Sequence, residues 1–377
     1  MMKKIGVQSA QGHYAVLIGA GLLKRAGRLI TQAAVFPKGI VRGKTKVMLV
    51  SQAPAFLRYG NAVSRSLNSA GLRVSTHLLP AEGETAKTQK SLFDIYAALL
   101  KAGFERSDAV IALGGGVTGD VAGFAASTYL RGVPFINLPT TLLAQVDSAV
   151  GGKTGINLAE GKNLVGTFYP PRLVIADTAT LTTLSARDYR ASLAEVVKYG
   201  VIKDAKLFHL LEKNIQKLAK PAPALLEKIV AVCARIKGGV VSRDEKETLG
   251  ERMILNYGHT FGHAFEKETG FKKLLHGEAV SVGMQAAGLL ALELGLWPQA
   301  DAERQGWLLA SLGLPVSLRG FNVKTENVMK AMLHDKKKQA GRLRFILPVR
   351  IGKVIVRQDI PAGLIRRVLN QLGGGSR

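Results

Sequence analysis

Cysteine is almost missing from this 377-residue sequence: Cys233 is the only one. No intrachain disulfide can form, which fits a reducing compartment. Cys233 lies in the apolar helical run IVAVCARI and reads as a small core residue rather than a reactive thiol. Long apolar runs are missing as well. None approaches the ~18–20 residues of a membrane span. The N-terminal stretch is interrupted by Gln8, Ser9, Gln11, Gly12 and His13, so no signal peptide is expected. These absences lead us to expect a cytoplasmic protein with no membrane partner. No repeat of solenoid type is present. Acidic residues are scarce, 27 against 52 Lys and Arg, for a net charge of +25. Such an excess suggests an anionic partner. The cations are scattered, however, with no basic arm, zinc-finger spacing or aromatic–basic motif, and no nucleic-acid function is expected. A field that steers phosphate substrates accounts for the charge equally well.

Hydrophobic residues make up 47% of the chain and charged ones 21%, the balance of an ordinary globular protein. The length suggests two domains. Short apolar runs alternate with helical patterns in the first half. VMLV at Val47–Val50, Leu72–Leu79, DAVIAL at Asp108–Leu113, PFINL at Pro134–Leu138 and LVIA at Leu173–Ala176 read as strands. This alternation predicts an α/β domain over residues 1–180, a parallel sheet with helices on both faces. Later, 3.6-residue periodicity dominates, and residues 181–377 are expected to form a mainly α-helical domain with a small strand pair near Arg342–Pro348 and Lys353–Arg357.

Three loops follow predicted strands. Gly114-Gly115-Gly116-Val117-Thr118-Gly119-Asp120 satisfies G-x-G-x-x-G in the strand–turn–helix context that a dinucleotide fingerprint requires. Glycines let the backbone approach a pyrophosphate, and the helix N-terminus offers free N–H groups. The usual acidic residue ~20 positions later is missing. Glu82-Gly83-Glu84-Thr85-Ala86-Lys87 and Thr140-Thr141 occupy corresponding places after other strands. Residues 145–163, QVDSAVGGKTGINLAEGKN, set Asp147, Lys153, Lys162 and Asn163 among small, flexible residues, where charges are often ligand groups.

Glu195 and Lys198 share one face of a helix that reads as buried, and a buried carboxylate needs a cation or a metal. His259 and His263 are four apart on one helical face, and His276 begins the next helix. Two histidines and a carboxylate make a common catalytic metal set with an open position. The pattern is not HExxH, which excludes a zincin-type protease. Arg131 and Arg252 are candidates for bidentate carboxylate or phosphate binding. The run His334-Asp335-Lys336-Lys337-Lys338 places further cations after a helix.

Together, EGETAK, GGGVTGD, LPTTLLAQVDSAVGGKTGIN, GKNLVGTFY, AEVVKYG, RMILNYGHTFGHAFE, LHGEAVSVGM and the late DKK closely resemble the 3-dehydroquinate synthases, of the sugar-phosphate cyclase superfamily. The resemblance runs from about Gly43 to Arg357. It implies an NAD- and divalent-metal-dependent enzyme, with zinc or cobalt held by Glu195, His259 and His276. It implies NAD contacts from Glu82, Gly83, Glu84 and Lys87, and from Gly115, Gly116, Val117, Thr118, Gly119 and Asp120. Further contacts would come from Thr140, Thr141, Lys153 and Lys162, and from Thr180, Leu181, Thr182 and Thr183. Catalytic or substrate roles fall to Asp147, Lys153, Asn163, Lys198, Lys237, Arg252, Asn256, His263 and one lysine of DKK, taken as Lys337. Arg131 would reach the phosphate site of a neighbouring subunit, so a homodimer is implied. A one-residue insertion separates Lys237 from Arg252 relative to the usual pattern, and Ser51-Gln52-Ala53-Pro54 stands where relatives often carry an acidic residue or Asn.

The implied reaction converts 3-deoxy-D-arabino-heptulosonate 7-phosphate to 3-dehydroquinate and phosphate, in the shikimate route to aromatic amino acids. It would run by transient oxidation, phosphate elimination, re-reduction and intramolecular aldol closure. A related cyclase acting on another sugar phosphate is the near alternative, and Arg252, as a carboxylate anchor, favours the sugar acid. An iron- or glycerol-type alcohol dehydrogenase shares the two-domain plan and a GGG loop, but lacks the VDSAVGGKTGIN and GKN cluster.

Overall fold

A computed structural model describes residues 2–37, 39, 41–270, 273–338 and 343–373, with the side chains of 333–338 outside the description. The chain divides into two compact units. The first comprises Met1–Leu184 and Pro223–Lys246, the second Ser185–Ala222 and Glu247–Arg377. The return of the Pro223–Arg243 helix to the first unit was not legible, because its helical period matches that of the helices around it. Pro223 occupies the first helical position, where its missing N–H costs nothing.

The first unit is built on seven strands. They are β1 (Lys3–Ser9), β2 (Gly12–Gly19), β3 (Lys46–Ser51), β4 (Arg73–Leu78), β5 (Ala109–Gly114), β6 (Phe135–Pro139) and, after the hairpin of β7 (Lys153–Leu158) and β8 (Gly161–Phe168), β9 (Leu173–Asp177). Their order is β1-β2-β9-β6-β5-β3-β4. Only β1 is antiparallel to its neighbour; every other pair is parallel. Every residue of β5, β6 and β9 is buried, as expected of a sheet covered on both faces. Alternate residues serve opposite cores. Val47, Leu49, Ile111 and Ile175 pack on one side with Leu29 and Leu67. Met48, Val50, Val110 and Ala112 pack on the other with Ile95 and Val121. Each of the larger side chains contributes ~1.5–3 kcal/mol on burial.

The parallel arrangement has one consequence for function. The chain steps from β3 outward to β4 and then returns to the opposite side of β3 to form β5. The carboxyl ends of β3 and β5 therefore flank a topological switch point, where open α/β sheets bind ligands.

Two segments read from sequence as loops or loop ends are ordered. The glycine-rich stretch after Asp147 forms the β7–β8 hairpin. Gly155 and Gly166 face each other across it, and a Cβ on Gly166 would fall 2.0 Å from the Thr154 carbonyl oxygen. These glycines serve close strand approach rather than flexibility. The cations of Lys336–Lys338 belong to the Thr325–Lys338 helix rather than following it.

The second unit is mainly helical, with the strand pair β10 (Phe345–Arg350) and β11 (Lys353–Arg357). No described helix is long and apolar enough to cross a membrane. Arg304 grips Glu212 through Nε at 3.0 Å and Nη2 at 2.8 Å, and His209 Nδ1 lies 2.9 Å from the same carboxylate. Burial alone would raise this carboxyl, but Arg304 and His209 hold it below its ordinary range. The folded value lies below the unfolded one, so the stabilisation is full above about pH 4.5 and is lost as pH falls through the folded value. Glu212→Gln should therefore cost about 1 kcal/mol near neutral pH and almost nothing at about pH 3. Urea unfolding at the two pH values tests this; an equal loss at both would contradict it.

Candidate functional site

In the first unit, β5 runs through Gly115 in extended conformation directly into the helix Gly116–Thr128. No acidic residue stands in the first turn of that helix, so its positive N-terminus is open to an anion. A Cβ on Gly116 would lie 2.8 Å from Ser148 Oγ, so a side chain there would make Ser148 turn away. Neighbouring strand ends are tied together beneath it. The buried Gln145 amide donates to the Pro139 carbonyl at 3.0 Å, the Asp177 carbonyl at 2.9 Å and Thr180 Oγ1 at 3.2 Å. Thr180 Oγ1 donates in turn to the Thr140 carbonyl at 3.1 Å. At the β3 end, Gln52 donates to the carbonyls of Ala81 and Gly83 at 3.1 and 3.2 Å. A residue that breaks the usual pattern thus holds the Glu82–Lys87 loop in place.

A polar cluster joins that loop to the helix and the hairpin. Lys87 is buried and reaches Asp120 Oδ2 at 2.7 Å, Glu84 Oε1 at 3.9 Å and, still more closely, Asn163 Oδ1. Burial pushes the Asp120 carboxyl above its ordinary range, against the pull of Lys87. Asn157 bridges the cluster. Its side chain donates to Glu84 at 2.8 Å and accepts from the Asn163 amide at 2.9 Å. Asn163 adopts a left-handed backbone, with φ 56°. Lys237 forms an ion pair with Asp147 Oδ1 at 2.7 Å and also donates to the Asp147 carbonyl. Lys237 is buried, so the pairing explains how an ammonium is tolerated there. Lys153 and Lys162 lie on opposite strands of the β7–β8 hairpin. Leu130 and Arg131 take φ values of 49° and 67° before Gly132. Left-handed conformations cost roughly 1–2 kcal/mol per non-glycine residue, and such strain clusters where a side chain must be presented. Thr180 and Leu181 are buried, Thr182 and Thr183 exposed.

In the second unit, three helices bring Glu195, His259 and His276 together. Glu195 is fully buried. His259 Nε2 lies 3.4 Å and His276 Nε2 3.5 Å from Glu195 Oε1. Lys198, one helical turn on, closes on Oε2. The three donor atoms fall within 4.8 Å of one another, which suits a single cation. His259 Nδ1 lies 3.1 Å from the Tyr257 carbonyl, so Nδ1 carries the proton and Nε2 presents its lone pair inward. Burial drives the His259 imidazole down to about 3. Burial also pulls His276 down, but hydrogen bonds to Glu195 and Glu266 outweigh it and set the group at about 10. A cation on His276 must displace that proton. Glu266 Oε2 sits 3.5 Å from His276 Nδ1, an orienting carboxylate that went unnoticed in the sequence. Its position three residues after His263 was the available signal. His263 is exposed, with its ring 5.4 Å from His259 and 6.3 Å from His276. Arg252 is buried, with Nε 3.3 Å from Glu247, and Asn256 is exposed at the end of the same short helix. Lys337 lies in a helix whose side chain there is outside the described residues.

Comparison with known proteins adds the following. The 3-dehydroquinate synthase N-terminal family matches residues 77–191, and the 3-dehydroquinate synthase C-terminal family matches residues 192–338. A 3-dehydroquinate synthase from Crocosphaera subtropica is 43% identical over 99% of this chain and 100% of its own length. Among solved structures, the 2-epi-5-epi-valiolone synthase of Streptomyces hygroscopicus subsp. jinggangensis, with NAD+ and Zn2+ bound, superposes with a TM-score of 0.85 at 29% identity, covering 95% of this chain and 96% of its own. A 2-deoxy-scyllo-inosose synthase complexed with carbaglucose-6-phosphate, NAD+ and Co2+ gives 0.86 at 27% identity, covering 98% and 100%.

The Gln145 junction yields a test. Gln145→Leu removes the amide donor to the Pro139 carbonyl and leaves the Asp177 carbonyl with Thr180 Oγ1 at 2.8 Å, and it should destabilise the first unit by about 1–3 kcal/mol. A shift of the urea midpoint, at unchanged slope, measures it; no shift would show that the amide does not tie the strand ends.

Proposed function

The chain belongs to the 3-dehydroquinate synthase family, and we propose that it converts 3-deoxy-D-arabino-heptulosonate 7-phosphate to 3-dehydroquinate and inorganic phosphate, as a cytoplasmic step of aromatic biosynthesis. The observation that carries this reading is the convergence of Glu195, His259 and His276 on one point in a chain that also has an open glycine loop at a sheet switch point. The first unit is the NAD-binding part, and the second holds the metal and takes the substrate carboxylate. When bound, NAD supplies a reversible hydride acceptor and a divalent ion such as zinc or cobalt supplies Lewis-acid polarisation.

The protein's own groups have the following roles in this reading. Amides at Gly115–Gly119 bind the dinucleotide pyrophosphate. The loop Glu82–Lys87, Thr140–Thr141 and Thr180–Thr183 line the remainder of that site, and Lys87 keeps Asp120 and the loop in register. Glu195, His259 and His276 hold the metal. Tyr257 and Glu266, each beside the outer ring nitrogen of a ligand histidine, fix the ring orientation. Lys198 balances the charge of Glu195. Arg252 takes the substrate carboxylate; its planar fork fits that group and disfavours a neutral sugar phosphate. Lys153, Lys162, Lys337 and Arg131 answer the phosphate. Asp147, Asn163, Lys237 and Asn256 position substrate hydroxyls, and His263 moves a proton through its ring nitrogens near neutral pH. The net change is loss of phosphate with ring closure and no net oxidation.

Exposed apolar side chains on the hairpin, Leu158, Leu164, Val165 and Phe168, together with the strained Leu130, support a homodimer through which Arg131 serves a partner's phosphate site.

Phosphate release followed together with NADH absorbance tests the reaction. Phosphate equal to the 3-dehydroquinate formed, no net NADH, loss of activity in chelator and recovery with Zn2+ or Co2+ are expected. Glu195→Gln should reduce turnover by roughly 100-fold or more. Sustained NADH without phosphate would replace this reading with a dehydrogenase. Light scattering should give twice the 40.3 kDa chain mass, and Leu164→Asp with Val165→Asp should give monomers. A wild-type monomer would remove the dimer from the proposal.

A further inference from the structure

Elsewhere in the first unit lies a cavity of about 650 Å³. Its wall carries Lys24, Arg25, Arg28 and Arg65, the hydroxyls of Ser66 and Ser69, and two alanines. It lies between the short helical stretch Leu23–Arg25 with the helix Ala26–Gln32 that continues it, and the helix Asn61–Ser69. The two helices touch closely. The Gly27 amide donates to Ser66 Oγ at 3.1 Å, and a Cβ on Gly27 would fall 2.0 Å from the Ser66 carbonyl oxygen. The spacing of the cations is therefore set by backbone packing, not left to loops.

All four cations are exposed, and none makes an ion pair among the described residues. The reason is visible in the sequence. Residues 1–81 contain six lysines and six arginines and no Asp or Glu; Glu82 is the first acidic residue. This segment alone supplies +12 of the net +25. Carboxylates from later in the chain that approach it are already engaged. Asp177 accepts from the Gly21 and Leu23 amides at 2.8 and 2.9 Å, and Glu227 accepts from the Ala20 amide at 3.0 Å.

Like charges around one concavity repel, and a bound anion relieves that repulsion. Three guanidinium groups to one ammonium favour an oxyanion that accepts two parallel hydrogen bonds. The volume lies within the range of small-ligand sites. The wall has no aromatic ring on which a base would stack, which argues against a nucleic acid strand, and its four cations argue against an apolar ligand. We propose that this cavity binds a small multivalent phosphate of the polyphosphate class, at a site separate from the proposed chemistry.

Calorimetric titration of the full-length protein with sodium tripolyphosphate, at fixed ionic strength, tests the assignment. The double variant Arg28→Gln/Arg65→Gln removes two cations of the wall. Arg42→Gln/Lys44→Gln removes the same charge from exposed positions of the same acid-free segment. Wild type and the second variant should bind alike, and the first should bind roughly 10-fold or more weakly. Orthophosphate should bind more weakly than tripolyphosphate in all three. Phosphate-release activity should be the same in all three proteins, since none of these residues belongs to the proposed catalytic machinery. Absence of tripolyphosphate binding to wild type would overturn the proposal. So would an unchanged affinity in Arg28→Gln/Arg65→Gln, which would place the anion elsewhere, or an equal loss in both variants, which would reduce the effect to net charge.

Discussion

A carboxylate with no exposure to water, Glu195, organises the second unit. An isolated charge there would cost far more than folding can supply. Its helix must therefore be met by groups that favour the anion: Lys198 from the next turn and the protonated His276 from another helix do so, while a third helix brings the neutral His259 to the same oxygen. Each of these is itself restrained. The Tyr257 carbonyl orients one imidazole and Glu266 stands behind the other. Burial pulls both histidines down, yet they end far apart, His259 at about 3 and His276 at about 10, because hydrogen bonds to Glu195 and Glu266 outweigh burial at His276 alone. The donor atoms of Glu195, His259 and His276 lie close enough together to hold one cation, and the proposed reaction uses one.

The first unit follows a different constraint. Parallel strands end together, so the loops after β3, β4, β5, β6 and β9 share one end of the sheet. Polar groups stitch those ends. Gln145 and Thr180 join β6 to β9, and Lys87 joins its loop to Asp120 and Asn163. Glycine matters here for what it leaves empty: a side chain at position 116 would meet Ser148.

Much of this was legible beforehand. Apolar runs located β3, β4, β5, β6 and β9 to within a residue, since burial leaves little freedom of composition, but β1 and β2 were not read as strands. Thr88 caps the Gln89–Lys101 helix through its side chain, and Gly103 follows it with φ 63°, ordinary start and stop chemistry. The β7–β8 hairpin was not legible, because glycines that permit close strand pairing look the same as glycines that permit disorder. The allegiance of the Pro223–Arg243 helix was not legible either. Periodicity reports that a helix has an apolar face, but not which core receives it. Glu266 was missed for a related reason: its place three residues after His263 marks a shared helix face, but that it stands behind His276 depends on how two helices pack.

The amino-acid sequence by itself determined the element types, the glycine fingerprint, the candidate metal ligands and the family, because each depends on local pattern or on motifs in a set order. Only the tertiary structure decided that Lys237 answers Asp147, that Gln52 supports the Glu82–Lys87 loop, that Gln145 ties two strand ends, and that four unpaired cations face one cavity. These are contacts between residues tens of positions apart or more. Hydrogen bonds and ion pairs are directional and act over a few ångströms, so their partners exist only once the chain has packed.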